Sequence, residues 1–436
     1  MKKILIGVLL LALTVTAFAQ QKKEVLPYDA LIRSAKIYLG QKDKDYDHVV
    51  ELLDIAVANY PDPLEAHFYL GLIAAERAEY SVMMDHFRKF EAICSKENMD
   101  ADKKRAKACQ KDDMPKQIRE TKEAELSRAF KDGVTQIRLA DSVSSVMATA
   151  ADSSAAAGDT VTVPGDSTKA TRADIVKQLL NKGQGLFNEC IVIDDTIPGI
   201  WTNLALIEKK LGNIDKALEY YQRSYKLNPN DALMVYDLAN VYFDQKDYAN
   251  SARYYGEFGA LDKANAEAAF INQAMSYQAL GDNASLEKTL DKILEVNPAN
   301  AEIRYQRGVM YVRNASSPEM RDSAQKIDSL LTVSPKDAAL IAARDQMIKS
   351  RQDYNTKALA DFKQAAETNA KEPLYWYWYG NTAFFLEKQD ESLEAYKKCT
   401  ETDPNFSDCW CQLSLVYARK GMKPEAEDAS SKCKDK

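Results

Sequence analysis

The feature that most constrains this chain is a pattern of small and large residues that recurs at fixed spacing. It is clearest in residues 200–231, IWTNLALIEKKLGNIDKALEYYQRSYKLNPND. Apolar residues recur there at helical spacing, and Gly212-Asn213 separates two helical stretches. Small residues such as Ala205 and Ala217 allow two helices to approach closely, while large side chains fill the gap to a neighbouring hairpin. Because one hairpin cannot bury both of its faces, such units must stack.

The same segment resembles the tetratricopeptide repeat, a 34-residue helix–turn–helix unit with the pattern W-x2-L-G-x2-Y…A-x3-F…P. Trp201 and Pro229 match it, and Glu208 departs from it where Tyr is expected. The resemblance implies an all-α fold, a right-handed superhelical solenoid of tetratricopeptide helix hairpins. It extends to residues 28–61 in degenerate form, 62–97, 232–265, the unit ending at Asn300, the unit from Ala301 to Pro335, 372–405 and the unit from Trp410 onward. Residues 338–367 are predicted to form a further helical pair.

Residues 141–170 interrupt the repeats. They contain no aromatic residue and are dominated by Ala, Ser, Asp, Thr and Gly, so they cannot bury enough apolar surface to offset their ordering entropy. Predicted helices at about 114–140 and 171–194 flank this segment. A flexible insertion in the turn of an enlarged hairpin and a linker between two arrays both fit the pattern. The predicted organisation is N-terminal repeat-like units at 26–140 and a C-terminal array at 171–436.

The N-terminal sequence predicts export. Residues 1–19 combine two lysines, an apolar run and Ala17-Phe18-Ala19, which is the pattern of a cleavable signal peptide. No Cys follows that could carry a lipid, and no later stretch is apolar enough for a transmembrane helix. We therefore expect a periplasmic protein, with secretion or outer-membrane association as alternatives. The formal net charge of −7 and the lack of a basic stripe argue against nucleic-acid binding.

An aromatic run, EPLYWYWYGNTAFF, occupies residues 372–385. Core packing, a sugar-stacking platform and a membrane-interface belt are its candidate roles. The resemblance places Trp376 and Tyr379 at core positions of a repeat and Tyr377 and Trp378 toward the concave face. We therefore expect the run to be mostly core, with sugar stacking as the alternative.

The family binds its ligands on the concave face, and an Asn there often holds a bound peptide's backbone. Asn240 and Asn381 match that position, whereas the basic residues of the best-known chaperone-binding subset are replaced by Tyr236 and Tyr377. A Tyr/Asn surface suits a segment of another protein, because rigid aromatic rings give contact area at low entropy cost. The alternative is that these rings cover an unused surface. The predicted partner-binding groove consists of Tyr236, Asn240, Met275, Tyr305, Tyr377 and Asn381.

Four of the seven cysteines lie in the last two units. Cys399 and Cys433 are placed late on second helices, and Cys409 and Cys411 flank Trp410 at the start of a first helix. In a stacked array this permits the disulfides Cys399–Cys409 and Cys411–Cys433. A zinc site is less well supported, because no C-x2-C pair is present. Separately, Cys94 and Cys109 could pair across a helix turn, which would leave Cys190 as a buried thiol.

No catalytic motif is evident. The three histidines, His48, His67 and His86, form no metal-binding pattern, and the sequence has no nucleophile elbow, Walker loop or dinucleotide turn. The sequence therefore predicts a protein that is not an enzyme, needs no cofactor, and acts as an exported scaffold binding envelope proteins or peptides. A carbohydrate- or nutrient-uptake accessory of the outer membrane is the alternative.

Overall fold

The structure is a computed structural model that describes residues 25–95, 103–110, 113–151, 160–162 and 169–433. The predicted signal peptide, residues 1–19, lies outside the described residues, as does part of the segment 141–170. Within those ranges, no helix has the length and apolar character needed to cross a membrane. The chain divides into two compact units between Asn228 and Pro229.

The described part of the first unit consists of helices and one short strand pair. In chain order they are α1 (Tyr28–Leu39), α2 (Tyr46–Asn59), α3 (Leu64–Glu76), α4 (Tyr80–Cys94), α5 (Lys103–Gln110), α6 (Asp113–Ala151), β1 (Thr160–Thr162), β2 (Lys169–Thr171), α7 (Arg172–Ile193), α8 (Pro198–Lys210) and α9 (Ile214–Leu227). The two strands are antiparallel, with Val161 opposite Ala170. Helices α1/α2, α3/α4, α6/α7 and α8/α9 pack as hairpins.

The described part of the second unit is all helical. Its helices are α10 (Ala232–Asp244), α11 (Tyr248–Leu261), α12 (Ala266–Leu280), α13 (Asn283–Val296), α14 (Ala301–Ala315), α15 (Pro318–Val333), α16 (Ala338–Thr368), α17 (Pro373–Phe385), α18 (Gln389–Thr402), α19 (Ser407–Arg419) and α20 (Lys423–Lys432). The chain is therefore an all-α array of helix hairpins, as the repeats predict.

A small residue facing an aromatic ring holds several hairpins together. In α3/α4 the ring of Phe87 lies against Gly71, where a Cβ atom would come within 2.3 Å of it. In α17/α18 the ring of Tyr396 lies in the same way against Gly380, at 2.7 Å. Both rings are fully buried. Glycine is required at these positions because any larger side chain would push the helices apart.

The hairpin that begins with α14 differs from the prediction. Residues 338–367 were expected to be a helical pair, but α16 is one unbroken helix, since nothing between Ala338 and Thr368 is Gly or Pro. Helix α14 packs extensively on α16, whereas α15, the predicted partner, makes its main contact with α16. A Cβ atom on Gly308 would lie 2.7 Å from the buried ring of Phe362, on the second half of α16. The region from α15 to about Arg351, called the arm below, is thus inserted into one repeat.

The hairpin α6/α7 also encloses an insertion. Helix α6 continues past the predicted end at Ala140 to Ala151, and α7 runs from Arg172 to Ile193. The two helices pack along each other, with the Phe187 ring against Gly133. The division into two compact units lies after Asn228, so α6 and α7 belong to the same unit.

Three tryptophans tie successive repeats together by one recurring hydrogen bond. The indole N–H of Trp201 donates to the carbonyl of Asp195 (2.8 Å), that of Trp376 to Ala370 (3.0 Å) and that of Trp410 to Pro404 (2.9 Å). Each acceptor lies six residues before its donor, in the turn that enters the repeat. Only Trp201 is buried, whereas Trp376 and Trp410 are partly exposed. The expectation that Trp376 is a core residue is therefore only partly met.

Glu208, the departure from the repeat pattern, is almost completely buried and fully paired. Its carboxylate accepts hydrogen bonds from Gln184 (2.6 Å) and Asn213 (2.7 Å) and forms an ion pair with Lys216 (2.7 Å). A buried carboxylate is tolerated when its oxygens are satisfied in this way. Where the repeat pattern has a tyrosine, Glu208 thus connects α7, α8 and α9 through hydrogen bonds and an ion pair.

Three disulfides are present, and they join the pairs named from the sequence. Cys94 is bonded to Cys109 between α4 and α5, with their Cα atoms 5.6 Å apart. Cys399–Cys409 and Cys411–Cys433, with Cα separations of 6.2 and 4.8 Å, connect α18 to α19 and the start of α19 to the end of α20. Cys190 is a free, buried thiol whose pKa is raised to about 12 by burial.

Candidate peptide-binding groove

The first predicted groove pair, Tyr236 and Asn240, lies on α10 against α11. The hydroxyl of Tyr255 donates to Oδ1 of Asn240 at 2.6 Å. Burial, reinforced by nearby Tyr236, raises the pKa of Tyr255 to about 12, so this hydroxyl keeps its proton at neutral pH. Tyr236 is half-buried beside the rings of Tyr255 and Phe258, whose centroids lie 6.0 and 5.0 Å away.

The second pair repeats this arrangement on α17 and α18. The hydroxyl of Tyr396 donates to Oδ1 of Asn381 at 2.5 Å, again across 15 residues of sequence. Burial also raises the pKa of Tyr396. Tyr377 is half-buried, with its ring 5.4 Å from that of Phe406 and 6.5 Å from that of Tyr396. The two pairs share one design: a buried tyrosine fixes an asparagine next to a half-exposed tyrosine.

That design orients each asparagine. An amide whose oxygen accepts from tyrosine must direct its NH2 group elsewhere. Both asparagines are partly exposed, and within the described part of the chain Nδ2 of Asn240 and Nδ2 of Asn381 have no protein acceptor. Each amide therefore offers N–H donors at the surface.

The remaining two groove residues differ from each other. Met275 is half-exposed on α12. Tyr305, in contrast, lies between the rings of Phe362 and Tyr375, at 5.9 and 5.2 Å, and burial raises its pKa. Tyr305 thus supports the α14/α16 packing in addition to facing the surface.

The aromatic run on α17 is divided between core and surface. Tyr375 and Tyr379 are buried, and their hydroxyls donate to Glu302 (2.8 Å) and Glu391 (2.9 Å). Trp378 is half-buried and stacks on Phe362, with centroids 5.6 Å apart. The run is thus mostly packed against its own unit.

A pocket that the sequence did not predict adjoins Asn381. It has a volume of about 190 Å³, and its walls come from the end of α14, the middle of α16 and α17. The lining residues that matter chemically are Arg351, Asn355, Trp378, Asn381 and Phe385. Arg351 and Asn355 were missed because α16 was interpreted as two helices of a regular repeat. A usable signal existed: the position 16 residues after Gly308 holds Ala324, where the regular hairpins have a large side chain.

The histidines give no metal site. Nδ1 of His67 and Nδ1 of His86 lie 3.0 Å apart and share a hydrogen bond, while His48 is on α2 next to Glu51. No cluster of three or more His, Cys, Asp or Glu side chains suitable for a metal ion occurs among the described residues.

Family models of the tetratricopeptide repeat match residues 198–231, 374–406 and 395–428. Anaphase-promoting complex subunit 3 of Schizosaccharomyces pombe is 23% identical over 130 residues. This match covers 30% of the present chain and only 19% of that relative.

Two of the solved structures that match the chain are tetratricopeptide repeat proteins. A tetratricopeptide repeat protein from Parabacteroides merdae is 17% identical, with 55% of this chain and 93% of that one covered and a TM-score of 0.28. YrrB, described as a TPR protein with an unusual peptide-binding site, is 17% identical, with coverage of 54% and 97% and a TM-score of 0.32.

Proposed function

The chain is a tetratricopeptide-repeat protein, and we propose that it is an exported, non-catalytic scaffold that binds an extended segment of another envelope protein in the predicted groove. The observation that carries the proposal is the repeated tyrosine–asparagine pair, Tyr255–Asn240 and Tyr396–Asn381. The same pair at the same spacing in two repeats gives the surface two donors held in fixed orientation.

These donors match an extended peptide. An extended segment has backbone carbonyl groups that need hydrogen-bond donors, and a donor already held in place loses little entropy on binding. Tyr236 and Tyr377, which lie next to the asparagines in their hairpins, supply half-exposed rings for side-chain contact. Backbone capture by asparagine and side-chain contact by tyrosine together constitute the proposed recognition.

Two features support export. Residues 1–19 have the sequence of a cleavable signal peptide. The three disulfides are of a kind that persists in oxidising compartments and is rare in the cytosol. Mass spectrometry of protein purified from its own cells should find an N-terminus near Gln20, and an intact or lipid-modified N-terminus would contradict export in this form.

The binding proposal is tested by removing only the orienting hydroxyls. Peptides are first selected from a displayed random library on the wild-type chain, and their Kd is measured by fluorescence anisotropy. The double variant Tyr255→Phe, Tyr396→Phe keeps both rings but frees both asparagines to rotate. We expect peptide binding to weaken about tenfold or more, equivalent to about 1.4 kcal/mol, because the donors are no longer held in place.

A matched control removes two hydroxyls of similar kind outside the groove. Tyr311 and Tyr379 donate to Glu287 and Glu391, each at 2.9 Å. The double variant Tyr311→Phe, Tyr379→Phe should lose at least as much stability, about 1.5–3 kcal/mol for each hydrogen bond to a charged carboxylate, yet bind as the wild type does. Equal binding by both double variants would refute the role of the asparagines.

A further inference from the structure

The pocket beside Asn381 has a composition that favours an anionic occupant. Most of its polar groups are already used within the protein. The hydroxyls of Ser316 and Thr382 donate to carbonyls of their own helices, at 2.8 and 2.9 Å, and Nδ2 of Asn355 donates to the carbonyl of Arg351 at 2.9 Å. The donors that remain are the Arg351 guanidinium, the Asn381 amide and the second N–H of the Asn355 amide.

Arg351 has no carboxylate partner within the described residues. Its guanidinium lies over the ring of Phe385, 5.3 Å from the centroid, and this ring is itself half-exposed. Helix α17, which forms one wall, contains no charged residue along its whole length. A cation held on an aromatic ring beside an unpaired amide donor provides charge and hydrogen bonds for an anion.

The size of the pocket limits what that anion can be. Pockets for drug-sized ligands usually have volumes of about 300–1,000 Å³, whereas this one has about 190 Å³. It therefore suits a single side chain better than a complete small-molecule ligand. Trp378 and Phe385 give the pocket apolar walls beside the Arg351 guanidinium, which is itself exposed to solvent.

We propose that this pocket binds the carboxylate of a glutamate or aspartate side chain in the partner segment, with Arg351 and Asn381 as donors. This inference rests on the proposed function, because Asn381 belongs to both the groove and the pocket. It adds a specificity that the repeat pattern does not contain, since Arg351 comes from the inserted arm. The partner would then be a segment that carries one acidic residue at a fixed place.

The experiment uses the full chain and a random peptide library whose C-termini are fused to a carrier. Selection on the wild type should enrich Glu or Asp at one position of the bound peptides. Selection on Arg351→Gln should remove that enrichment and leave the rest of the consensus unchanged. Arg351→Lys, which keeps the positive charge, should retain part of the enrichment of Glu or Asp. Arg344→Gln, a change on the same arm outside the pocket, should select the wild-type consensus.

Synthetic peptides then identify the group that binds. In the wild type, replacing the selected Glu by Gln should weaken binding about tenfold or more, whereas Arg351→Gln should bind both peptides equally. Exchanging a free C-terminus for an amide should change little. A preference for the free C-terminus, or a consensus without any acidic position, would overturn the inference. The groove proposal would survive those two results, and it would fail separately if no peptide were selected or if the tyrosine double variant bound normally.

Discussion

The two enlarged hairpins, α6/α7 in the first unit and α14/α16 in the second, keep the same contact between a glycine and an aromatic ring but contain different insertions. In regular hairpins the small residue and its aromatic partner are 16 residues apart, as for Gly71 and Phe87. In both enlarged hairpins the separation is 54, between Gly133 and Phe187 and between Gly308 and Phe362. The close approach of helix to ring is kept although the intervening chain differs completely. The contact, and not the length of the turn, defines the repeat.

The two insertions differ in composition. Residues 141–170 are rich in Ala, Ser, Asp and Gly and differ visibly from a repeat. The arm of the second unit is made of ordinary helical sequence, including Leu330, Leu331 and Ile348. Of the residues in α15, only Leu331 is buried, so this helix adds little to the core. An insertion of helical composition can therefore imitate a repeat without packing as one.

The largest expected effect comes from removing the two rings that define these contacts. Phe187 and Phe362 are both completely buried. Phe187→Ala and Phe362→Ala should each lower the free energy of unfolding of their own unit by about 3–5 kcal/mol, because each change leaves a large cavity between two packed helices. Denaturant unfolding followed by circular dichroism would measure the loss.

A control on the arm sharpens the comparison. Val333 at the end of α15 is 82% exposed, so Val333→Ala should change stability by less than about 0.5 kcal/mol. A small effect of Phe362→Ala would mean that α14 pairs with α15 after all, and the equivalence of the two hairpins would be lost.

These contacts also show how far the sequence could predict the fold and the candidate site. Spacing between small and aromatic residues identified the regular hairpins, since each pair is local in sequence. It failed for α14, whose partner ring lies beyond an inserted helix that has its own apolar residues. The positions of Asn240 and Asn381 followed from the repeat pattern. Their hydrogen bonds to Tyr255 and Tyr396 did not, because the direction of a side-chain amide depends on three-dimensional contacts.

Acidic pH should lower the stability of the first unit, because that unit contains a buried histidine pair. His67 on α3 is 5% exposed, and its ring lies against His86 on α4. Burial and the neighbouring His86 and Lys89, partly offset by Asp85, lower the pKa of His67 to about 4. Burial also lowers the pKa of His86, with Lys89 adding to the shift and Asp85 and Asp54 opposing it.

The sign of the effect follows from proton binding. An unfolded histidine titrates near a pKa of about 6.5, so the unfolded state binds more protons between that value and about 4, and stability falls as the pH decreases through this window. For His67 the expected loss is about 2 kcal/mol between about pH 7 and about pH 5. Hydrogen exchange followed by mass spectrometry, corrected for the pH dependence of the intrinsic exchange rates, should locate this loss of stability in the first unit.

Two variants test the assignment to His67. His67→Gln should flatten the pH dependence of the first unit, and His48→Gln, which removes a partly exposed histidine of α2 outside the pair, serves as the control. A first unit whose opening free energy is constant over this range would contradict the role of the pair.

The smallest effect on stability is expected from cutting the insertion of the first unit. From their composition, residues 141–170 should be the first site of limited proteolysis, ahead of the helical arm of the second unit. Because α6 and α7 pack along each other, the nicked halves should stay together in gel filtration and melt within a few degrees of the intact chain. Separation of the halves without denaturant would show that the segment is a linker between two arrays. First cuts in the arm would contradict the prediction that residues 141–170 are the more accessible of the two insertions. Co-elution with the first cut at 141–170 would establish that a repeat hairpin can be opened at its turn without losing its small-residue contact, because the packing of Gly133 on Phe187 does not depend on the chain that connects them.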